Sequence, residues 1–278
     1  MRPMRPWIAI VCAVAAAPAA AGEVELAVRA GQVFPFYKQS FNFDPGPFLQ
    51  ATFPGVTVQP VQDMLLEGSG GLALGAGLTW YLGESVGLEA RVDTADVGLR
   101  AQEALVRVRI PLPAPLPAIT TEIAVPATGG LERLKPVSLN LAARTRGSFR
   151  LRVSGGVSYL PSVRFFARSD LRTAGPLFGG VPVAQLALKT EAPSGEGEGR
   201  LGFNVGGGVE WPLSGHLSVT ADARYFRFRE QTLAWVPEPG LVLSPIEQQL
   251  LRELQGNLGP VNFSAELFQV TGGLSLRF

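Results

Sequence analysis

Apolar and polar residues alternate with a period of two in one stretch of this chain after another. In the last stretch Phe278, Leu276, Leu274, Gly272, Val270 and Phe268 share one side, and Arg277, Ser275, Gly273, Thr271 and Gln269 share the other. Successive side chains of a strand point to opposite faces, so the pattern predicts a strand with one apolar face and one small or polar face. From residue 24 the same pattern recurs: Val24, Leu26, Val28 and Ala30 oppose Glu25, Ala27, Arg29 and Gly31. Further strands are expected over about 70–82, 86–93, 137–143, 149–159, 201–211 and 217–225. In the strand at 86–93, Glu89, Arg91 and Asp93 lie on one face and Leu88, Ala90 and Val92 on the other, a charge density that a dry core accommodates badly.

The connections are of two kinds. Short turns rich in Gly and Ser stand at 83–85, 145–148 and 212–215. Long segments separate the other pairs, at 38–67, 98–135 and 167–199, with a fourth before the final strand. Residues 60–66 suggest one or two helical turns stopped by Gly68. The stretch 105–110 is strand-like, so a hairpin is expected to continue there. The prolines of 111–117 favour an extended, polyproline-like path. Over about 245–255 a helix is expected: Ser244 caps it, Pro245 takes the first position, Glu247 completes a capping box, and Ile246, Leu250 and Leu254 form a stripe. It would pack on its own loop, plug a mouth or lie at a lipid interface.

Composition narrows the class. The chain has 278 residues, a formal charge of +1, 33 glycines and 23 prolines, which favour strands and turns and give no basis for nucleic-acid binding. Mean hydropathy is +0.21, yet after the N-terminal segment no stretch approaches the roughly 18–20 apolar residues of a membrane helix. Residues 1–21 read as a signal peptide, with Arg2 and Arg5, an apolar run from Trp7 to Ala17, and small residues before cleavage after Ala21. The single cysteine, Cys12, lies within it, so the mature chain, 22–278, is expected to lack disulfides and thiol chemistry.

Two orientations are open: apolar faces inward, as in a secreted sandwich or lipocalin-like binding barrel, or outward to lipid. Three features favour the second. Short and long connections alternate, as if segregated to two ends. Trp80, Phe149, Trp211 and Phe278 adjoin the short-turn end, whereas Phe34, Tyr37, Phe165, Tyr225 and Phe268 adjoin the long loops, making two girdles. A closed antiparallel ring also leaves no unpaired edge in lipid. The expected fold is all-β: an eight-stranded antiparallel up-and-down transmembrane barrel with four long external loops and one short loop helix.

This architecture and the terminal phenylalanine resemble the eight-stranded bacterial outer-membrane barrels typified by OmpA, OmpX and OmpW. The resemblance implies location in the outer membrane of a Gram-negative-type envelope. It implies contact with outer-membrane lipid and lipopolysaccharide, and handling by the barrel assembly machinery. Phe278, Leu276 and Leu274 would then form the assembly signal.

Candidate chemistry is sparse. Glu25, Arg29, Glu89, Arg91, Asp93 and Arg150 are expected to face the lumen, together with Arg152, Glu210, Asp222, Arg224 and Arg277. An eight-stranded interior is filled by side chains, so these charges make either a salt-bridged plug or a narrow polar conduit. The one histidine, His216, lies at a short turn without partners and reads as solvated, and no metal-ligand pattern, cofactor motif or phosphate loop is present. Glycines at 68–77 and 206–208 read as sites of strand curvature. No catalytic residue is expected. The remaining functions are a porin-like or plugged surface barrel whose loops engage a ligand or envelope partner, or, as the likeness to OmpW implies, passive entry of small hydrophobic molecules past apolar loops.

Overall fold

The computed structural model describes residues 22–41, 46, 50, 54–102, 104–125, 128–131, 133–173, 182–191, 199–237, 248, 252 and 260–278. The chain begins with β1 (Gly22–Pro35), β2 (Lys38–Phe41), β3 (Thr57–Gln62) and β4 (Met64–Ser69). It continues with β5 (Gly71–Leu82), β6 (Val86–Ala95), β7 (Gly98–Gln102), β8 (Ala104–Ile110) and β9 (Ile119–Val125). Then come β10 (Thr128–Leu131), β11 (Val137–Arg144), β12 (Arg150–Leu160), β13 (Phe165–Thr173) and β14 (Pro182–Glu191). The last five are β15 (Arg200–Pro212), β16 (Leu217–Phe228), β17 (Gln231–Pro237), β18 (Val261–Phe263) and β19 (Glu266–Arg277).

Eight of these close a barrel in the order β1-β19-β16-β15-β12-β11-β6-β5 and back to β1, every pair antiparallel. This is an up-and-down ring whose members match the strands expected from alternation. Its ends meet along the β1–β19 ladder, from Glu25 opposite Arg277 to Pro35 opposite Leu267. Phe278 extends that ladder by donating its N–H to Val24 O at 2.9 Å. The short turns form where the sequence permits tight reversal: Gly83 and Gly147 have φ of 83° and 121°, and Ser214 Oγ accepts from the Leu217 N–H at 3.1 Å. The 11 residues of β12, rising about 3.3 Å each and tilted roughly 40°, cross about 28 Å, the thickness of a hydrocarbon core.

Alternation places the apolar residues outside. Leu139, Leu141, Val153 and Val157 are exposed, Leu141 at 67 %, while Glu89 and Arg91 on the inner wall are 1 % exposed. A lipocalin-like arrangement would require the reverse. Among the described residues no helix is long and apolar enough to cross a membrane.

The long connections are more regular than expected from sequence. Above the barrel, β2, β4, β7, β10, β13, β14, β17 and β18 prolong the eight staves into a second sheet, with β3, β8 and β9 attached beside β13. Residues 60–66, expected to be helical, instead belong to β3 and β4: β4 pairs with β2 and β7, and Pro60 stands at a register shift against β8. Tertiary pairing overrides the weak local helix signal, and the proline is tolerated at the irregularity. The prolines of 111–117 do not run extended; they turn between β8 and β9, with the Leu116 N–H bonded to Pro113 O at 3.0 Å. Of the helix expected over 245–255, only Gln248 and Arg252 are described, both helical and joined by Arg252 Nε to Gln248 O at 3.3 Å; the rest lies outside the described residues, as does the signal segment 1–21.

Candidate functional site

The inner wall changes chemistry with height. On β19 the inward residues are Arg277, Ser275, Gly273, Thr271, Gln269 and Leu267, and towards the long-loop end Ala265 and then Phe263 of β18 are buried in turn. On β16 Asp222 and Arg224 give way to Phe226 and Phe228. The turn-side half of the lumen is therefore charged, and the loop-side end is an apolar core.

The charged half has two tiers. In the tier nearest the short turns, Arg144 forms two 2.8 Å hydrogen bonds to the carboxylate of Glu23 and lies 3.6 Å from the centre of the Tyr81 ring. Arg277 pairs with Glu210 and stands 3.2 Å from Glu23, while Arg150 is 3.5 Å from Glu210. Glu25 pairs with Arg152 and lies 3.6 Å from Arg144.

In the second tier Glu89 is the hub. It accepts from Asn140 Nδ2 at 3.0 Å and Arg224 Nη2 at 3.2 Å, with Arg152 at 3.5 Å and Arg29 at 3.7 Å. Arg91 bonds Asp93 through Nε at 2.7 Å and Asp222 through Nη1 at 2.8 Å. Asn204 joins Asn140, Ser158 and Arg224. Buried charges persist when paired and hydrogen-bonded, and this mesh ties together side chains from β1, β6, β11, β12, β15 and β16.

Space for the guanidinium groups comes from glycine. Arg29 stands opposite Gly75 and Gly273, Arg91 opposite Gly77, Arg152 opposite Gly208 and Arg224 opposite Gly206. A Cβ on Gly206 would lie 3.1 Å from Arg224 Nε, and one on Gly77 would lie 3.3 Å from Arg29 Nη1. An eight-stranded lumen is narrow, so large side chains fit where the neighbouring strand has none.

The apolar end closes over this mesh. Val33, Leu134, Leu160, Phe226 and Leu267 are buried together with Phe165, Phe263 and Tyr37. Phe165 and Phe263 meet edge-on at 4.8 Å, and Tyr37 packs 5.2 Å from Phe263 and 5.5 Å from Phe165. Tyr37 and Phe165 thus belong to the interior and not to an outer girdle: Tyr37 keeps the inward parity of Ala27, Arg29 and Val33, whereas the break at 161–164 reverses the parity of β12 before β13 begins at Phe165. Phe34 and Phe203 do stand exposed on the wall, as do Trp80, Phe149, Trp211 and Phe278 at the other end. Burial pushes the Tyr37 phenol above its ordinary range, and its hydroxyl donates to Gln39 Oε1 at 2.8 Å. The second sheet is open, with β2 and β18 at its two edges, directly above the β1–β19 ladder.

All eleven charged residues singled out in the sequence lie on the inner wall: Glu25, Arg29, Glu89, Arg91, Asp93, Arg152, Glu210, Arg224 and Arg277 are buried, and Arg150 and Asp222 are partly so. Sequence reasoning missed Arg144 and Glu23, although each shares the inward parity of its strand, Arg144 with Asn140 and Glu23 with Glu25. Phe278, Leu276 and Leu274 are exposed on the outer face. His216 is exposed at its turn, contributing its carbonyl to the Arg277 N–H at 2.8 Å. Among the described residues no group of His, Cys, Asp and Glu is arranged to hold a metal.

The sequence matches no known family profile and no curated protein. Similar solved structures include the outer membrane protein OprG from Pseudomonas aeruginosa, at 13 % identity over 93 % of this chain and 96 % of that one, with a TM-score of 0.44. A major outer membrane protein from Thermus thermophilus is similar at 11 % identity, over 93 % of this chain and all of that one, with a TM-score of 0.42. Neisserial surface protein A is similar at 8 % identity, over 92 % and 97 % of the two chains, with a TM-score of 0.39.

Proposed function

We propose that this chain is an integral outer-membrane barrel, not an enzyme, whose lumen is closed and whose second sheet is displayed outside the cell for contact with a surface ligand or an envelope partner. The observation that carries the reading is the two-part seal: a cross-linked charge mesh in one half of the lumen and a packed aromatic core in the other. A packed interior leaves no width for steady ion flow. The outward apolar wall supports placement in lipid, and the signal segment 1–21 supports export, with the assembly machinery reading Phe278, Leu276 and Leu274. Reconstitution in planar bilayers tests the seal: the expected record is a quiet membrane, and steady large openings would overturn it. Display is tested by placing a cysteine at Leu116, between β8 and β9, and labelling intact cells with a membrane-impermeant maleimide; labelling only after lysis would refute the outward orientation.

A second reading follows from the edge between β2 and β18, where the rings of Tyr37 and Phe263 meet and, among the described residues, no ladder joins the two strands. Apolar solutes would enter there and leave sideways into the bilayer. Liposome uptake of matched apolar and polar solutes separates the two: uptake of neither excludes this route.

A further inference from the structure

We infer that a groove on the outer wall seats the phosphorylated headgroup of a membrane lipid, with an acyl chain lying along the wall below it. The inference rests on the membrane placement proposed above and adds a partner to it. The groove, of about 580 Å³, lies over β15 and β16 at the long-loop end and is lined by Val157, Leu201, Phe203, Arg227, Arg229 and Glu230. Phe203 stands opposite Val157 on one side and Arg227 on the other. The Arg229 N–H bonds Leu201 O at 3.1 Å, so the two arginines flank the two apolar residues of β15. Val157, Leu201 and Phe203 are all exposed and continue the outward apolar wall.

Height and charge point to a lipid headgroup. With the rise and tilt taken for β12, Arg227 and Arg229 stand about 25 and 30 Å above Leu217 along β16. A hydrocarbon core is about 30 Å thick, so both guanidinium groups lie where lipid phosphates begin. Phe228, between them, is buried and stacked on Phe226, which keeps both arginines on the outer face. Two residues apart on one face, they are separated by about 7 Å, a span that one phosphate bridges between two flexible side chains. Glu266 lies 3.1 Å from Arg227 Nε and engages one of its five donors. Across β11, β12, β15 and β16 the exposed charged side chains just above the wall, among the described residues, are Lys135, Arg164, Arg227, Arg229 and Glu230, a rim with more cations than anions. The exposed charges of the short turns, Glu84 and Arg146, pair at 2.6 Å and leave no such surplus. An apolar floor under a cationic rim fits an amphiphile with an anionic head, and phosphate matches the fork of a guanidinium.

The test uses the full mature chain in phosphatidylcholine vesicles doped with diphosphoryl lipid A, with insertion followed by the fluorescence of Trp80 and Trp211 and retained lipid by native mass spectrometry. The expected result is retention of lipid A, weakened about fivefold for each of Arg227→Gln and Arg229→Gln and unchanged by Arg146→Gln at the other end of the barrel. The unsubstituted chain, which needs no variant to fold, should retain lipid A in preference to the same acyl chains without phosphate. Inorganic phosphate added alone should not displace the lipid, because the apolar floor holds the chain. Equal retention of the dephosphorylated lipid, or by the Arg227→Gln and Arg229→Gln variants, would overturn the inference. Displacement by inorganic phosphate would overturn it too, by showing a site for the free anion. A chain that inserts but fails these comparisons defeats only the lipid seat, whereas one that enters no vesicle defeats the membrane reading and the seat with it.

Discussion

Glu89→Gln tests the charge mesh most directly. Gln preserves the shape and one carbonyl acceptor, so the contact from Asn140 survives as a neutral hydrogen bond of about half the strength and that from Arg224 loses its anionic partner but keeps the donor's charge. The charge is lost, leaving Arg29, Arg152 and Arg224 around a site 1 % exposed. Removing one partner of a buried ion pair costs about 3–5 kcal/mol, and the retained acceptor puts this variant at the lower end. With a urea dependence of about 1–3 kcal/mol per molar, the midpoint falls by about 1–3 M. The assay is urea unfolding in phospholipid vesicles, followed by fluorescence of Trp80 and Trp211, which stand exposed on the outer wall and report its departure from lipid. Glu84→Gln is the control. Glu84 pairs with Arg146 at 2.6 Å, but both side chains are about 70 % exposed or more, and such pairs are worth at most about 1 kcal/mol. Equal shifts for the two variants would refute the claim that burial gives the mesh its strength.

Three further outcomes follow from the packing. Gly206→Val should force Arg224 out of its place and cost about 1–3 kcal/mol in the same unfolding assay; a neutral effect would show that the glycine gap is not needed. Phe165→Ala removes the ring shared by Tyr37 and Phe263 and should cost about 3–5 kcal/mol, with little change if the loop-side core is only loosely packed. Leu141→Arg, midway along the outer wall, should cost about 2–4 kcal/mol in vesicles; tolerance there would argue against lipid contact.

The alternation at Val24–Gly31 and Phe268–Phe278 specified strands, and with the turn residues at 83–85, 145–148 and 212–215 it specified how many staves the ring has. Period two is a local property of extended backbone, which is why it was legible. The same parity named the inward charges, and it would have named Arg144 and Glu23 had their strands been followed to the last residue. Signals weaker than alternation failed where distant strands competed for the backbone. Residues 60–66 look mildly helical alone but become β3 and β4 because β8, β2 and β7 offer ladders.

Sequence by itself determined the staves, their two faces and the sign of each lumen group. Only the tertiary structure decided who meets whom. Glu89 and Arg224 are 135 positions apart, and no local rule brings them within 3.2 Å; ring closure and register do. The same closure set the glycines at 75, 77, 206 and 208, read as points of curvature, opposite the lumen arginines. It also gathered Tyr37, Phe165 and Phe263 at the loop-side end of the lumen and brought Arg29 to Glu89. Each of these depends on contacts across the ring, and a single strand carries no record of the wall it will face.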